Sequence, residues 1–485
     1  MEEVAKHEMS ITPRAGEEGR KNESAPAPPP AAASPHSAKR PNVLRHRHFR
    51  NVWIGAFGSS VGAWMEFIGV SWIINTTTEK PALYLGWHAA ATMLPMMVFG
   101  VAGGVVADRV NRKKLLLVTQ GIMMLIALAL TLLAVFDKTT VPALMSLTVL
   151  LGTTMAFNVP AWQVLTPRLV PREELTDAIV LQGLQFNIAR VIGPALGGLL
   201  LAWQGPTVLF AINTISFIGV MFAVSTTPDS PPPARNPHDS VWKETMDGLS
   251  FTLHRVGPRA TFWAMTLFGF LAAPLQRMLP LFISAVYFTK DLDKRQQEFG
   301  YGVLVGCMGL GAVLGVFVLR AMPNWYPKHH VIPVSILFSG VAIAGFGAST
   351  SPWLGVPFLV LAGMGWMASF NTTSAAMQLL VPDAMRGRVM AVCNTAVFGA
   401  MALGPLLAGY LGEMVKDKYG EGFGTQLGVT LGGLIMGAAG LVMLIWRTPE
   451  VDGLAPGHPG YDRRPGLWRG ITAEVHRPDA PTTLR

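Results

Sequence analysis

Twelve apolar runs dominate the chain, at approximately 51–74, 86–107, 115–135, 141–164, 179–202, 206–225, 261–288, 300–320, 331–349, 353–377, 389–412 and 425–446. An α-helix rises about 1.5 Å per residue, so about 20 such residues cross the hydrocarbon core of a bilayer. The chain therefore reads as an all-α membrane protein with twelve transmembrane helices. Composition agrees. Of 485 residues 51% are hydrophobic and 14% are charged, against about 25% charged in soluble domains. A disordered chain, a coiled coil and an ordinary cytosolic enzyme are excluded. Two cysteines, Cys307 and Cys393, make no disulfide framework, and no Cys/His cluster points to a metal.

The net charge of +9 is topological. Twelve crossings put both tails on one side. Segments on that side sum to +9, those on the other side to −1, and the span interiors contribute +1. Basic residues concentrate on the cytoplasmic face of membrane proteins. Both termini are thus expected in the cytoplasm, the chain is placed in the plasma membrane, and the basicity implies no nucleic-acid partner. Residues 1–44, rich in Ala and Pro around Pro28-Pro29-Pro30, have little to bury and are expected to be a disordered tail. The polar segment 448–485 is a second tail.

Pro231-Pro232-Pro233 cannot lie inside a helix. It marks a linker, 227–258, between two six-span halves, 45–226 and 259–447. Within it Trp242, Met246, Leu249 and Leu253 share one helical face, with Lys243, Glu244 and Asp247 on the wet side. Such a helix either lies on the membrane surface or packs on the loops. The halves repeat. A shift of 211 residues lays Leu169-Val170-Pro171 on Leu380-Val381-Pro382, Gly193-Pro194 on Gly404-Pro405, and Gly198 on Gly409. Two six-helix pseudo-repeats are the architecture of a rocking transporter.

The segment Gly104-Val105-Val106-Ala107-Asp108-Arg109-Val110-Asn111-Arg112-Lys113 resembles the signature loop of the major facilitator superfamily, with Asn111 where Gly is commonest. Further matches are Gly62-Ala63-Trp64-Met65, Leu94-Pro95, Phe157-Asn158-Val159-Pro160-Ala161-Trp162-Gln163, and Asn187 through Gly198. These resemble the efflux branch that contains the enterobactin exporter, over roughly residues 45–447. The resemblance implies that Gly104, Asp108, Arg109, Arg112 and Lys113 form an inner gate, with Asp108 meeting the N-terminus of span 11. It also implies that Gly193, Pro194, Gly197 and Gly198 bend span 5 in the manner of exporters. Their repeat counterparts are Gly404, Pro405 and Gly409.

Charges inside a membrane cost a few kcal/mol and are functional candidates by default. Glu66 shares a face of span 1 with Gly55, Ser59, Gly62 and Gly69, suited to a cavity wall or a close helix contact. Arg190 shares one with Gly183, Asn187, Pro194 and Gly197. Glu66 either pairs with Arg190 as a structural salt bridge or carries a coupling proton. Arg277, between Pro274 and Pro280, either binds an anionic group or snorkels to an aqueous mouth. Asn158 and Asn187 can bond a substrate or another helix.

Together these features point to a monomeric secondary transporter, exporting a siderophore-like, drug-like or other amphipathic small molecule by alternating access with protons as the driving partner. An importer, a lysophospholipid carrier and a transport-inactive sensor share the fold. No nucleophile–base set, phosphate loop, metal site or cofactor box is present, so no enzyme and no cofactor is expected. Cysteine-accessibility labelling should find both tails and the 227–258 linker on one face of the membrane. Finding the 290–298 loop on that same face would overturn the map.

Overall fold

The structure, a computed structural model, describes residues 43–165, 168–229, 241–287, 293–321 and 328–445. The two tails, the proline run of the linker and the side chains of Asp108 and Trp242 lie outside what is described. In chain order the helices are α1 (Arg47–Thr77), α2 (Pro81–Arg109), α3 (Arg112–Val135), α4 (Val141–Leu165), α5 (Leu175–Gln204), α6 (Pro206–Ser225), α7 (Val241–His254), α8 (Val256–Leu281), α9 (Lys294–Ala321), α10 (Lys328–Ala348), α11 (Pro352–Leu380), α12 (Asp383–Tyr419) and α13 (Glu421–Ile445). All but α7 are long and apolar enough to cross a membrane. Even α6, with 20 residues, spans about 30 Å. Several starts are written in the sequence. Pro81, Pro206 and Pro352 stand in the first turns of α2, α6 and α11, where a missing N–H costs nothing.

Packing repeats with the sequence. In the first half α1 packs on α5 and α6, α2 on α4, and α3 on α4 and α6. In the second, α8 packs on α12 and α13, α9 on α11, and α10 on α11 and α13. The halves meet through α5 with α9 and, by the same relation, α12 with α2. Each half also turns its last two spans on one glycine, Gly205 (φ 74°) and Gly420 (φ 86°). Only a residue without Cβ takes that backbone conformation at no cost.

The contact between halves is made of glycine against backbone. Gly198 of α5 meets Gly302 of α9 so closely that a Cβ on Gly198 would lie 2.9 Å from the Gly302 nitrogen. Gly409 of α12 approaches the backbone of Ala82 and Leu83 in α2, and a Cβ on Gly86 would lie 2.8 Å from the Pro405 carbonyl. Polar contacts reinforce this end: Trp72 Nε1 donates to Glu298 at 3.0 Å, Asn75 donates to Ser284 at 3.2 Å, and Lys416 bonds the Glu79 carbonyl. All these residues lie toward the helix ends away from the tails. The halves are therefore locked together on the side opposite the tails. Toward the tail side, Gly104 and Gly183 face open space. Ser284 sits in a π-helical turn, Phe282–Tyr287, that extends α8.

The linker helix α7 packs on α12 and α8. Its protein-facing residues are Gly248 and Thr252, with Phe251 and Leu253 joining Phe262, Met377 and Val389 in a small core. Glu244, expected on the wet side, instead binds Arg388 at 3.0 Å, with Asp247 at 4.0 Å. The acidic face grips the start of α12, and the apolar stripe through Met246 and Leu249 is only partly covered.

Substituting Gly198 by Ala should lower the melting temperature of the detergent-purified protein. Overpacking of this kind costs about 1–3 kcal/mol, partly offset by the helix preference of Ala over Gly, about 0.5–1 kcal/mol. Gly183→Ala, where the new methyl meets nothing, should leave the temperature unchanged or raise it.

Candidate functional site

Glu66 and Arg190 do not pair. The small-residue face of α1 lies against α6: Gly55 on Val220, Gly62 on Asn213 and Ser216, and Gly69 on Phe210. This aims Glu66 at α6, where its carboxylate accepts a hydrogen bond from Asn213 Nδ2 at 2.6 Å. The face is a close helix contact, and the carboxylate is buried within it, 6% exposed. The expected salt bridge is thus corrected. Helices α1 and α5 are neighbours, but Glu66 turns to Asn213 of α6 and Arg190 to Trp64 and Trp366.

Arg190, in the middle of α5, turns its guanidinium to aromatic rings. Its Cζ lies 5.7 Å from the centroid of Trp64 on α1 and 5.2 Å from that of Trp366 on α11. Arg277, near the C-terminal end of α8, lies 4.9 Å from the Phe67 centroid, and its Nη1 is 3.3 Å from His88 Nδ1 on α2. Phe67 in turn stacks on His88, centroids 6.3 Å apart, and meets Trp64 edge-on at 5.7 Å. Trp64 and Phe67 share a face of α1 because they are three residues apart. One helix thus places a ring beside each arginine. Among the described residues no carboxylate lies within ion-pair distance of either arginine. Cation–π contacts are worth about 0.5–2 kcal/mol each and offset only part of the few kcal/mol that a charge costs at membrane depth. Two cations, one on each half, thus lie beside neighbouring rings of α1.

The other polar candidates divide. Asn158, buried in α4, donates to Thr119 Oγ1 of α3 at 2.8 Å, so it fastens two helices and faces no central space. Gln185 reaches Ser60 of α1 at 3.4 Å. Asn187 is half-buried and donates to its own Gly183 carbonyl at 2.8 Å. Asn371 bonds back to Met367 in the same way. Three participants escaped the sequence reading. His88 is a lone imidazole in an apolar run, a signal that was available. Asn213 looked like any span asparagine. Glu298 ends the charged stretch Lys294-Arg295-Gln296-Gln297 and looked like loop, yet it is buried against Trp72.

The signature loop is built around Asn111. Its Oδ1 accepts from the backbone N–H of Lys113 at 3.0 Å and of Lys114 at 3.3 Å, capping α3. Asn is a strong N-cap, which accounts for its presence where the superfamily favours Gly. Arg109 is exposed at the C-terminus of α2, where a cation suits the helix dipole. Arg112 is buried. Lys113 Nζ donates to the Thr227 carbonyl at the end of α6, 2.6 Å away, and lies 3.9 Å from Asp229. Gly104 is open. The backbone of Asp108 is in the last turn of α2. In the bend motif, a Cβ on Gly193 would lie 2.6 Å from Trp64 Cβ, Gly197 makes ordinary contact with α1, and Gly198 meets Gly302. The counterparts obey the same pattern: Gly404 packs on Phe270 of α8 and Gly409 on α2. Helix α5 runs unbroken through Pro194, and α12 through Pro405.

Comparison with known proteins agrees with this architecture. A family model described as transmembrane secretion effector matches residues 39–458. The enterobactin exporter EntS of Citrobacter koseri is 26% identical over 416 residues, covering 85% of this chain and 96% of the relative. That of Shigella boydii is 27% identical over 406 residues, covering 82% and 92%. Among solved structures the nucleoside transporter NupG superposes with a TM-score of 0.63 at 14% identity, covering 83% of this chain and 100% of that one. A D-xylose-proton symporter gives 0.60 at 12%, covering 82% and 97%. At such identities the structures establish the twelve-helix fold alone. The sequence match goes further and runs through both halves. This multi-pass membrane protein is a transporter of the major facilitator type, and it belongs to the transmembrane secretion effector family.

Proposed function

We propose that the protein exports a small amphipathic molecule across the plasma membrane by alternating access, driven by protons, with both tails in the cytoplasm. The observation that carries this reading is the asymmetry of the contact between halves. Glycine-to-backbone packing locks them on the side opposite the tails, while Arg190 and Arg277, within the spans, stand one on each half. Rocking about such a centre exposes it to one side at a time. The enterobactin exporters among the relatives give the direction and the first solute to try.

The gate on the cytoplasmic side is assigned to Gly104, Asp108, Arg109, Arg112 and Lys113. Closing it brings α2 and the start of α12 together, and an anion near a helix N-terminus gains about 0.3–1 kcal/mol. The capped start of α3 and the Lys113 tie to α6 hold the short loop that follows α2. Asp108→Asn keeps shape and removes charge. The expected outcome is a strong loss of transport with normal membrane insertion, and wild-type rates would limit Asp108 to topology.

Glu66 is the candidate proton carrier. Its only hydrogen-bond partner among the described residues is an amide, and no cation neutralises it. Glu66→Gln should fold, since Asn213 can still bond the amide oxygen. It should lose enterobactin uptake into inside-out vesicles driven by a pH gradient, while keeping exchange. Because Arg190 is not its partner, adding Arg190→Gln should not change the melting temperature beyond the effects of the two single changes. In contrast, Glu66→Ala with Asn213→Ala should show a coupling of about 0.5–3 kcal/mol. Undiminished gradient-driven uptake in Glu66→Gln would remove the carboxylate from the coupling.

A further inference from the structure

The contact that locks the halves on the side opposite the tails, the far side, carries its own release. We infer that Glu298 is the release element and Trp72 the latch: the carboxylate loses its water when the halves meet, the indole N–H holds it there, and returning water parts them. Both are positioning residues of the transport cycle. The inference rests on the proposed alternating access only in taking the halves to separate on the far side.

Three polar ties cross between the halves there, and one is unlike the others. Asn75 with Ser284 is a neutral pair. Lys416 with the Glu79 carbonyl is charged, but it lies at the rim, where Glu79 is exposed and the lysine partly so. Trp72 with Glu298 puts a carboxylate only 5% exposed against a buried indole, 3.0 Å away. Among the described residues no cation lies within ion-pair distance of that carboxylate, and Lys294 and Arg295, on the same helix, are exposed. The tie adjoins the closest backbone contact of the molecule. Glu298 and Gly302 are one turn apart on α9, and the Glu298 carbonyl lies 3.4 Å from where a Cβ on Gly198 would stand. Trp72 is fixed in turn by Tyr301, whose ring lies 6.0 Å from it at 21°. Packing therefore places donor and acceptor, and they meet only when α9 is seated on the first half.

The chemistry of the pair sets two effects against each other at one residue. Taking an ion out of water costs far more than taking out an amide. A single indole N–H gives back part of that hydration and no more. Closure thus makes a bond and dehydrates a charge in the same step, so the halves are held without being sealed. A glutamine would accept the same bond and lose less water on closing. An acid at this position therefore makes the contact reversible, which packing of glycine on backbone does not do by itself.

The test reads the separation of the halves directly, by distances between spin labels on the full chain in lipid nanodiscs. With Cys307→Ala and Cys393→Ala as background, Phe136→Cys and Trp353→Cys label the far ends of the two halves, and Ile54→Cys with Ile445→Cys label the tail side; all four positions are exposed. Trp72→Phe keeps a ring against Tyr301 and removes the donor. It should raise the ratio of open to closed far side by about tenfold or more, the worth of a bond to a charged group. Glu298→Gln should lower that ratio, and added to Trp72→Phe it should reverse most of the opening. The opposite signs distinguish a release element from a plain tie. If Glu298→Gln opens the far side as Trp72→Phe does, the carboxylate only holds and the inference is overturned. A far-side distance unchanged in every variant overturns it as well. In that case a tail-side distance that still varies leaves alternating access standing, whereas two fixed distances remove the rocking too. Should Trp72→Phe fail to fold, Glu298→Gln against the wild type decides, with a more closed far side expected.

Discussion

Lipid tails are as apolar as the side chains that face them, so no hydrophobic force draws one span to another. Helices in this protein are held by dispersion and by close backbone approach, which small residues permit. The consequences run through the fold. Gly62 and Gly69 admit α6 to α1, Gly193 admits Trp64, and Gly198 with Gly302 brings the two halves into backbone contact. The same relation, repeated as Gly404 on α8 and Gly409 on α2, makes the second half a copy of the first. A contact built from backbone is rigid and has little adhesive area.

Within that scaffold the charges are sorted by what can neutralise them. Glu66 is enclosed with an amide between α1 and α6 and belongs to one half. The arginines have rings in place of counter-ions and together belong to both halves. A buried ion pair between Glu66 and Arg190 would have been self-contained, since its two charges cancel. Here the two charges are apart: Glu66 is bonded by Asn213, and Arg190 lies by Trp64 and Trp366. Glu298 adds a third arrangement, a carboxylate of the second half bonded by the indole of Trp72 in the first, on the side where the halves are locked.

The ends of the helices show how local chemistry braces each half. Asn111 caps α3 and so anchors the short loop after α2. Lys113 fastens that loop to the end of α6, and Arg45 and His46 hold Glu174 before α5. Each of these ties lies within one half. Helix α7 is bound through Glu244 to Arg388 of the second half. The tail side thus carries braces inside each half.

Much was legible in order. Length and apolarity of each run determine a span, because a bilayer has one thickness and every helix the same rise. The shift of 211 residues determines two equivalent halves, and the packing of α1 on α5 repeats as α8 on α12. Pro and Gly at the ends of runs determine several boundaries. Partnership was another matter. The stripe through Gly62 and Glu66 says that one face of α1 is special, yet it cannot say that α6 lies there and α5 does not. Asn158 reads equally as a ligand group and as a helix tie until Thr119 is placed beside it. The acids of α7 look solvated until Arg388 is brought back from 144 residues away. A helical period records which residues share a face, and that is a local property of one helix. Which face meets which depends on the rotation and tilt of every helix about its neighbours, settled only when all twelve spans pack at once.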